Sequence, residues 1–185
     1  HALAVQGKER AQNDRSLEAM QKRFDLGIPA TPEDLTVINL ASSGKVSVSQ
    51  VKLEETRAAF KNLSINSEVA TATPEQITAV QGNWAANKPT SIEEALTRDN
   101  YVKAFGNRQK MLDDDPVSYG QQVLPGKFPT VIVPTDPMKP EFDTALRQLS
   151  DQADLLNKQY GVDAVPLTKP DQQRFASMFA QMPAE

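Results

Sequence analysis

The sequence predicts an all-α protein with six or seven helices in an irregular bundle. Apolar residues recur at spacings of three and four along most of the chain, which is the period of an amphipathic helix. Several of these runs begin with Thr or Asp followed by Pro, the order typical of a helix start. Three β-branched residues at 131–133 lie between Pro129 and Pro134, so they predict an extended connection rather than a sheet.

Residues 1–25 predict the first helix, and its two halves differ. The second half carries Leu17, Met20 and Phe24 on one apolar stripe. The first half, residues 6–16, is almost entirely polar. That half is therefore either a solvated extension or a helix that needs a partner chain.

Threonine and proline mark the next helix starts. Thr31 with Pro after it predicts a short helix to about Leu40. The following spacing favours a helix over roughly 47–62, although a short strand is the alternative at its beginning. Thr73 repeats the start signal, with Gln76 at the reciprocal position of a capping box.

The longest predicted helix occupies the middle of the chain. Thr90 and Glu93 have capping-box spacing, and apolar residues continue at helical spacing to Leu112. The helix should end at Asp115 because Pro116 disfavours helical backbone in the residue before it. Asp115 should then cap a short following helix.

Residues 125–140 contain five prolines and one glycine, which predicts an extended connector. The helix after it should end at Gly161, and its apolar stripe is either an intramolecular core or an interface between subunits. A last helix should start at Thr168 with Asp171 as its capping partner. The two stripes consist of Phe142, Leu146, Leu149, Ala153, Leu156 and Tyr160, and of Phe175, Met178, Phe179 and Met182.

These elements divide the chain into four regions. We expect an N-terminal helical region at 1–70, a central helical pair at 71–124, the connector at 125–140 and a C-terminal helical pair at 141–185. A coarser alternative is two halves divided near the connector. The residues predicted to pack against copies of the chain or other partners are Leu17, Met20, Phe24, Phe142, Leu146, Leu149, Leu156 and Tyr160.

Composition excludes several classes of function. A net charge of -4 argues against a dedicated nucleic-acid binder. DNA contact is left open only at a local strip of Lys103, Arg108 and Lys110, whose field the acidic run 113–115 would largely cancel. The chain has no cysteine and its one histidine is His1, so thiol chemistry and a histidine general base are excluded.

No catalytic, cofactor-binding or metal-binding residue is predicted. The acidic run 113–115 lacks the alternating ligands and turn glycine of a calcium loop, and helix capping explains it better. Acid pairs at 54–55 and 93–94 sit where exposed faces or first helical turns favour them without catalysis. Glycine-rich phosphate loops and serine-hydrolase elbows are also missing.

The chain shows no apolar run long enough to cross a bilayer, and its first residues match no signal peptide. It also lacks an initiator Met. We therefore expect a segment of a longer polypeptide.

Three separated segments between Thr73 and Glu185 form a pattern. They are Arg108, Leu112, Asp115, Pro116 and Tyr119, then Gln159, Tyr160, Gly161 and Val162, then Leu167, Thr168 and Lys169. In this order the signals resemble a helical module of large internal virion proteins of tailed bacteriophages, which often occurs on chains that also hold a lytic transglycosylase domain. Residues 1–70 show no such resemblance.

The resemblance implies a particle component that is ejected with DNA and helps form an assembly for genome delivery across the cell envelope. It implies a homo-oligomer, other virion proteins as partners, and no catalysis in this segment, because the transglycosylase signature is missing. That activity could lie elsewhere in a longer parent chain. The alternative is an independent helical binding domain, such as a secreted bacterial effector or adaptor. A peptidoglycan-cleaving enzyme requires Glu93 or Glu94 to be buried in a cleft with a raised pKa.

Overall fold

The fold is known from a computed structural model that describes residues 2–180, with side chains described for 5–178 and 180. The described residues exclude 181–185, the end of the predicted region 141–185, and with them Met182. They also exclude the side chain of Phe179. The described part is all-α and contains no strand, which confirms the predicted fold class. Its eight helices are α1 (Ala2–Asp25), α2 (Pro32–Ser42), α3 (Gln50–Thr71), α4 (Pro74–Ala86), α5 (Ile92–Asp114), α6 (Pro116–Val123), α7 (Pro140–Tyr160) and α8 (Lys169–Ala180).

Most helix starts lie where the sequence predicts them, with two differences. Helix α3 begins at Gln50 and continues to Thr71, well beyond the predicted end at 62. The N-cap of α5 is Ser91, not Thr90, since the Ser91 hydroxyl accepts a hydrogen bond from the Glu94 N–H.

The chain divides into two compact units, residues 1–68 and 69–185, and the division falls within α3. The predicted alternative of two halves divided near 125–140 is therefore wrong. The connector instead contributes Phe128 and Val133 to the core of the second unit, where both side chains are buried.

The first unit has its own apolar core. Leu17, Met20 and Phe24 are buried there, with Ile38, Ala41, Leu53 and Ala59. Residues 5–12, in the polar half of α1, are exposed. Further along α1, Asn13 donates to the Ser47 carbonyl and Asp14 accepts from the Ser49 N–H, so this polar stretch holds the chain segment that leads into α3.

Helix α2 is fixed by an ion pair to α1. Thr31 and Asp34 form a capping box, and the Arg23 guanidinium lies 2.5 Å from the Asp34 carboxylate. Burial by itself would raise the pKa of Asp34, but the Thr31 N–H and Arg23 outweigh it, and the pKa is lowered.

The second unit is built around α7. Leu149 and Leu156 on α7 are fully buried against residues of α5, α6 and the connector. A side-chain carbon at Gly120 of α6 would lie 3.1 Å from the Phe128 ring and 3.3 Å from Leu156. Glycine therefore suits this close approach of α6 to the connector and α7, because any larger residue would require Phe128 and Leu156 to shift by a few tenths of an ångström.

Candidate functional site

Arg108 is the buried cation of the second unit. It lies on the inward face of α5 with Ala104 and Leu112, four residues away on each side, and is only 5% exposed. Its Nη2 donates to the Ala72 carbonyl at 2.8 Å, and its Cζ lies 5.3 Å from the centre of the Tyr160 ring. A carbonyl and an aromatic face therefore compensate for part of the cost of burying the charge.

Tyr119 supports the same region from α6. Its hydroxyl donates to the Ala70 carbonyl at 2.6 Å. Because Ala70 and Ala72 lie at the end of α3, Tyr119 and Arg108 supply donors to carbonyls that the helix leaves unpaired. The positive charge of Arg108 also suits the negative end of the α3 dipole. We refer to Arg108, Tyr119 and Tyr160 as the Arg108 cluster.

The two tyrosines of the cluster differ in their hydrogen bonding. The Tyr160 hydroxyl is buried and, like the Nε of Arg108, has no hydrogen-bond partner among the described residues. Burial raises the pKa of both Tyr119 and Tyr160, and the neighbouring Arg108 partly opposes that rise. Both phenols are therefore neutral at physiological pH and act as packing and hydrogen-bonding groups.

Asp115 joins the starts of two helices. Its Oδ1 accepts from the Ser118 N–H at 3.0 Å, which caps α6, and its Oδ2 accepts from the Lys169 N–H at 2.8 Å, at the first residue of α8. The Lys169 ammonium forms an ion pair with Asp114. Next to it, Thr168 caps α8 by accepting from the Asp171 N–H, as predicted.

The end of α7 is closed by a turn that the sequence also predicts. Gly161 has a φ of 64°, the left-handed conformation that favours glycine, and its N–H donates to the Asn157 carbonyl. The Asn157 side chain accepts from the Ala164 N–H at 2.6 Å. Lys127 of the connector donates to Gln159 of α7. The segment 159–162 is thus held in place at its side chains and its backbone.

All three segments of the sequence motif therefore meet in one unit. Arg108 contacts Tyr160, and Asp115 binds the backbone of Lys169, although neither pair is close in sequence. The arrangement holds helix ends together. Among these described residues no nucleophile lies beside a base. Arg108, Tyr119 and Asp115 bind backbone atoms, and the Tyr160 ring contacts the Arg108 guanidinium.

The acidic run 113–115 is used for hydrogen bonding and ion pairing. Asp113 accepts from Gln109, while Asp114 and Asp115 bind Lys169. Across residues 2–180, no group of three or more His, Cys, Asp or Glu side chains is placed to hold a metal ion.

The basic strip proposed for DNA does not form. Lys103 and Lys110 are exposed, but Arg108 points inward to Ala72 and the Tyr160 ring. A helical step of five or two residues places Arg108 far around the helix from the two lysines. The strip is therefore reduced to two exposed lysines with acids after them.

The eight predicted interaction residues lie within the two cores. Leu17, Met20 and Phe24 are buried in the first unit, and Leu149, Leu156 and Tyr160 in the second. The other two, Phe142 and Leu146, are partly buried against the second core, where Phe142 packs edge to face on Phe175. This is the intramolecular alternative that the sequence left open. A partner protein could contact the six buried residues only if the core that contains them were exposed.

Glu94 is bound at a helix start. It accepts hydrogen bonds from the N–H and the hydroxyl of Thr90, both at 2.7 Å, and pairs with Arg98 at 2.5 Å. Donation from the Thr90 N–H is the largest effect, and together these contacts lower the pKa of Glu94 to about 2. A glycosidase general acid needs the opposite shift, so the condition set for a peptidoglycan-cleaving enzyme is not met at Glu94.

The acid pair at 54–55 is bound in a similar way. Glu54 accepts from Gln50 at 2.8 Å and Glu55 pairs with Lys52 at 2.9 Å, all on the exposed side of α3. These are ordinary helix-surface contacts.

Sequence reasoning missed the polar groups that hold the connector. Gln152 is buried on α7, accepts from Gln121 at 3.0 Å and donates to the Pro129 carbonyl at 2.7 Å. Arg174 of α8 donates to the Val133 carbonyl at 2.8 Å. A signal was available at Gln152, because it lies beside the apolar stripe of α7 where a buried polar side chain needs partners.

No helix in the described part is long and apolar enough to cross a membrane. Comparisons of the chain with protein-family models, with curated proteins and with solved structures give no match.

Proposed function

We propose that this chain is a non-catalytic structural and interaction segment of an internal virion protein of a tailed bacteriophage. In this role it resides inside the particle, is delivered into the host cell envelope and helps form the assembly through which the genome passes. Copies of the chain and other virion proteins are its partners.

The convergence of the motif is the observation that supports this proposal. The resemblance depends on three separated segments, and their residues contact one another in the Arg108 cluster and at Asp115. Motif residues that hold helix ends together stabilise the arrangement of the helices. Such a role fits a segment that acts by assembly, with any wall-cutting activity on another part of a longer chain.

The charge of the segment fits the same role better than a DNA-binding role. The 24 acidic side chains of the chain outnumber its 20 lysines and arginines, and Arg108 is turned inward, so the net charge of -4 opposes the approach of a phosphate backbone. Protein partners are therefore the contacts that we propose for the particle.

The test is mass spectrometry of purified phage particles from the natural source. We expect peptides of this sequence within the particles, protected from added protease until the particles open. After infection, the same peptides should appear in the envelope fraction of the host.

Two controls make the outcome interpretable. A major capsid protein should stay outside the cell in the infection experiment, and a cytoplasmic host protein should be absent from purified particles. Failure to find the sequence in any particle would contradict the proposal. Specific capture of a host protein by the purified chain would then favour the effector or adaptor alternative.

An enzymatic assay addresses the remaining alternative. Purified chain should release no soluble fragments from labelled peptidoglycan, and Glu94→Gln should behave like the natural sequence. Release that Glu94→Gln abolishes would establish wall cleavage in this segment.

A further inference from the structure

The outer face of α5 is a continuous exposed stripe. Its members recur at alternating spacings of four and three residues, and therefore lie along one side of the helix. All are exposed, including the large apolar side chains of Ile92 at 81% and Leu96 at 59%. The stripe consists of Ile92, Leu96, Asp99, Lys103, Gly106 and Lys110. We call it the α5 outer stripe.

The opposite side of α5 accounts for its packing within the unit. Ala104, Arg108 and Leu112 are buried, and the rings of Tyr101 and Phe105 pack with Trp84 of α4. The fold therefore needs nothing from the outer stripe. Two large apolar side chains on a stripe without an internal role call for an explanation.

The two charged side chains in the middle of the stripe, Asp99 and Lys103, form no salt bridge or side-chain hydrogen bond in the described structure. Asp99 and Lys103 are four residues apart, a spacing at which helix ion pairs form readily, yet no salt bridge joins them. They lie at equal distances on either side of position 101. An antiparallel pair of helices centred at position 101 would therefore bring Asp99 of one copy to Lys103 of the other.

Gly106 provides a gap on the same stripe. A side-chain carbon built there would meet no atom within 4 Å, and an open depression lies around it. Leu96 and Gly106 are also at equal distances from position 101. An apolar side chain and a gap that could receive it thus lie about 15 Å apart along one helix.

We propose that α5 pairs in antiparallel orientation with α5 of a second copy of this chain, about a two-fold axis level with Tyr101. In that register Leu96 of each copy lies against Gly106 of the other. Asp99 of each copy meets Lys103 of the other, and Ile92 packs on the aliphatic part of Lys110. Each contact occurs twice, as an isologous interface requires.

The order of charges argues for a second copy in this orientation. A parallel pair in register would place Asp99 against Asp99 and Lys103 against Lys103, which costs free energy. The antiparallel register turns both into opposite-charge contacts. One helix face buries less area than a standard stable interface, so the dimer should be weak and weaker still in high salt.

This pairing specifies how copies of the segment would assemble. It rests on the proposed function only in the assumption that self-assembly is the role of the segment. The two tests fail independently. Absence from particles would leave the dimer measurement unaffected, and a monomeric chain would leave the particle location to be tested by mass spectrometry.

The decisive experiment uses charge reversal in the full chain with sedimentation equilibrium at micromolar to millimolar concentration. Asp99→Lys alone and Lys103→Asp alone should each be monomeric, because each places like charges together at both contacts. An equimolar mixture of these two variants should dimerise, since every contact then joins Lys with Asp. The double reversal should also dimerise.

Gly106→Leu tests the gap without relying on charge. The space around Gly106 admits a side chain, so the variant should fold, as circular dichroism will show, while losing the dimer. A matched control is the exposed pair Asp154 and Lys158 on α7, also four residues apart. Reversing either of these should leave self-association unchanged.

Three results would overturn the proposal. One is a natural chain that stays monomeric at millimolar concentration. Another is a dimer that survives the single reversals at α5. The third is a mixture of Asp99→Lys and Lys103→Asp that fails to associate while each variant remains folded.

Discussion

Asp115 accepts a hydrogen bond from the backbone N–H of Lys169 at 2.8 Å, although 54 residues separate them. The other carboxylate oxygen of Asp115 caps α6 through Ser118. One side chain therefore satisfies N–H groups at the starts of two helices.

Replacing Asp115 with Ala should destabilise the second unit by about 2 kcal/mol, because each lost cap costs about 1 kcal/mol. Trp84 is the only tryptophan of the chain and belongs to this unit, so its fluorescence during urea unfolding reports the loss. Asp113→Ala removes only an exposed contact to Gln109 and should cost less than about 0.5 kcal/mol. Equal losses in the two variants would refute the double cap.

Arg108 should tolerate neither loss nor conservative replacement. Arg108→Met leaves the Ala72 carbonyl without its donor, at a cost of about 1–3 kcal/mol. Arg108→Lys should be the worse of the two, because a compact, strongly hydrated ammonium is costlier to bury and cannot stack on the Tyr160 ring as the planar guanidinium does. Urea unfolding of both, with the exposed Lys110→Met as control, checks the order. A more stable Arg108→Lys would contradict this account.

The two tyrosines of the Arg108 cluster should respond differently to loss of their hydroxyls. Tyr119→Phe removes the hydrogen bond to Ala70 and should cost about 1 kcal/mol. Tyr160→Phe should be neutral or slightly stabilising, since its buried hydroxyl has no partner in the described structure. The same fluorescence measurement compares the pair, and each variant is the other's control.

The two buried tyrosines should also make the stability of the second unit depend on pH in the alkaline range. Both phenols have a pKa raised above 10.0, so their contribution to stability is complete below pH 10 and is lost as the pH rises through the raised values. Tyr119→Phe should reduce this alkaline loss. An unchanged pH slope would show that Tyr119 does not titrate as a buried phenol.

Glu94 should titrate near pH 2 in the folded chain. The stabilisation it gives to the start of α5 is complete above pH 4.5 and is lost as the pH falls through the lowered pKa. An NMR titration measures this value directly. Thr90→Val removes one of the donors and should move the pKa back toward 4.5. A pKa above 4.5 in the natural chain would support the hypothesis that Glu94 is a catalytic acid.

Asp34 should make the first unit sensitive to acid. Its lowered pKa means that the stabilisation is complete above pH 3.8 and is lost as the pH falls through the folded value. Asp34→Asn should therefore lose stability at neutral pH and show a flatter acid dependence. Hydrogen exchange of α1 and α2 amides reports this unit, which contains neither tryptophan nor tyrosine. Glu33→Gln, an exposed neighbour, is the control.

The sequence by itself determined that the chain is helical and where most of its helices begin, although it placed the end of α3 at 62 instead of Thr71. Thr31, Thr73 and Asp115 cap helices where the pattern predicts, and Gly161 ends α7 in the left-handed conformation. The sequence predicts these features because helix capping depends on residues within one helical turn. The shift of the N-cap from Thr90 to Ser91 shows the limit of such a prediction, since two adjacent hydroxyl residues offer cap positions one residue apart.

Only the tertiary structure decided which faces meet. The stripe through Leu149 and Leu156 became an intramolecular core, and the connector joined the second unit by packing through Phe128. Periodicity identifies an apolar face but carries no information about what covers it. The contact of Arg108 with Tyr160 and the double cap of Asp115 depend on chain folding across many residues, and no local pattern can specify that.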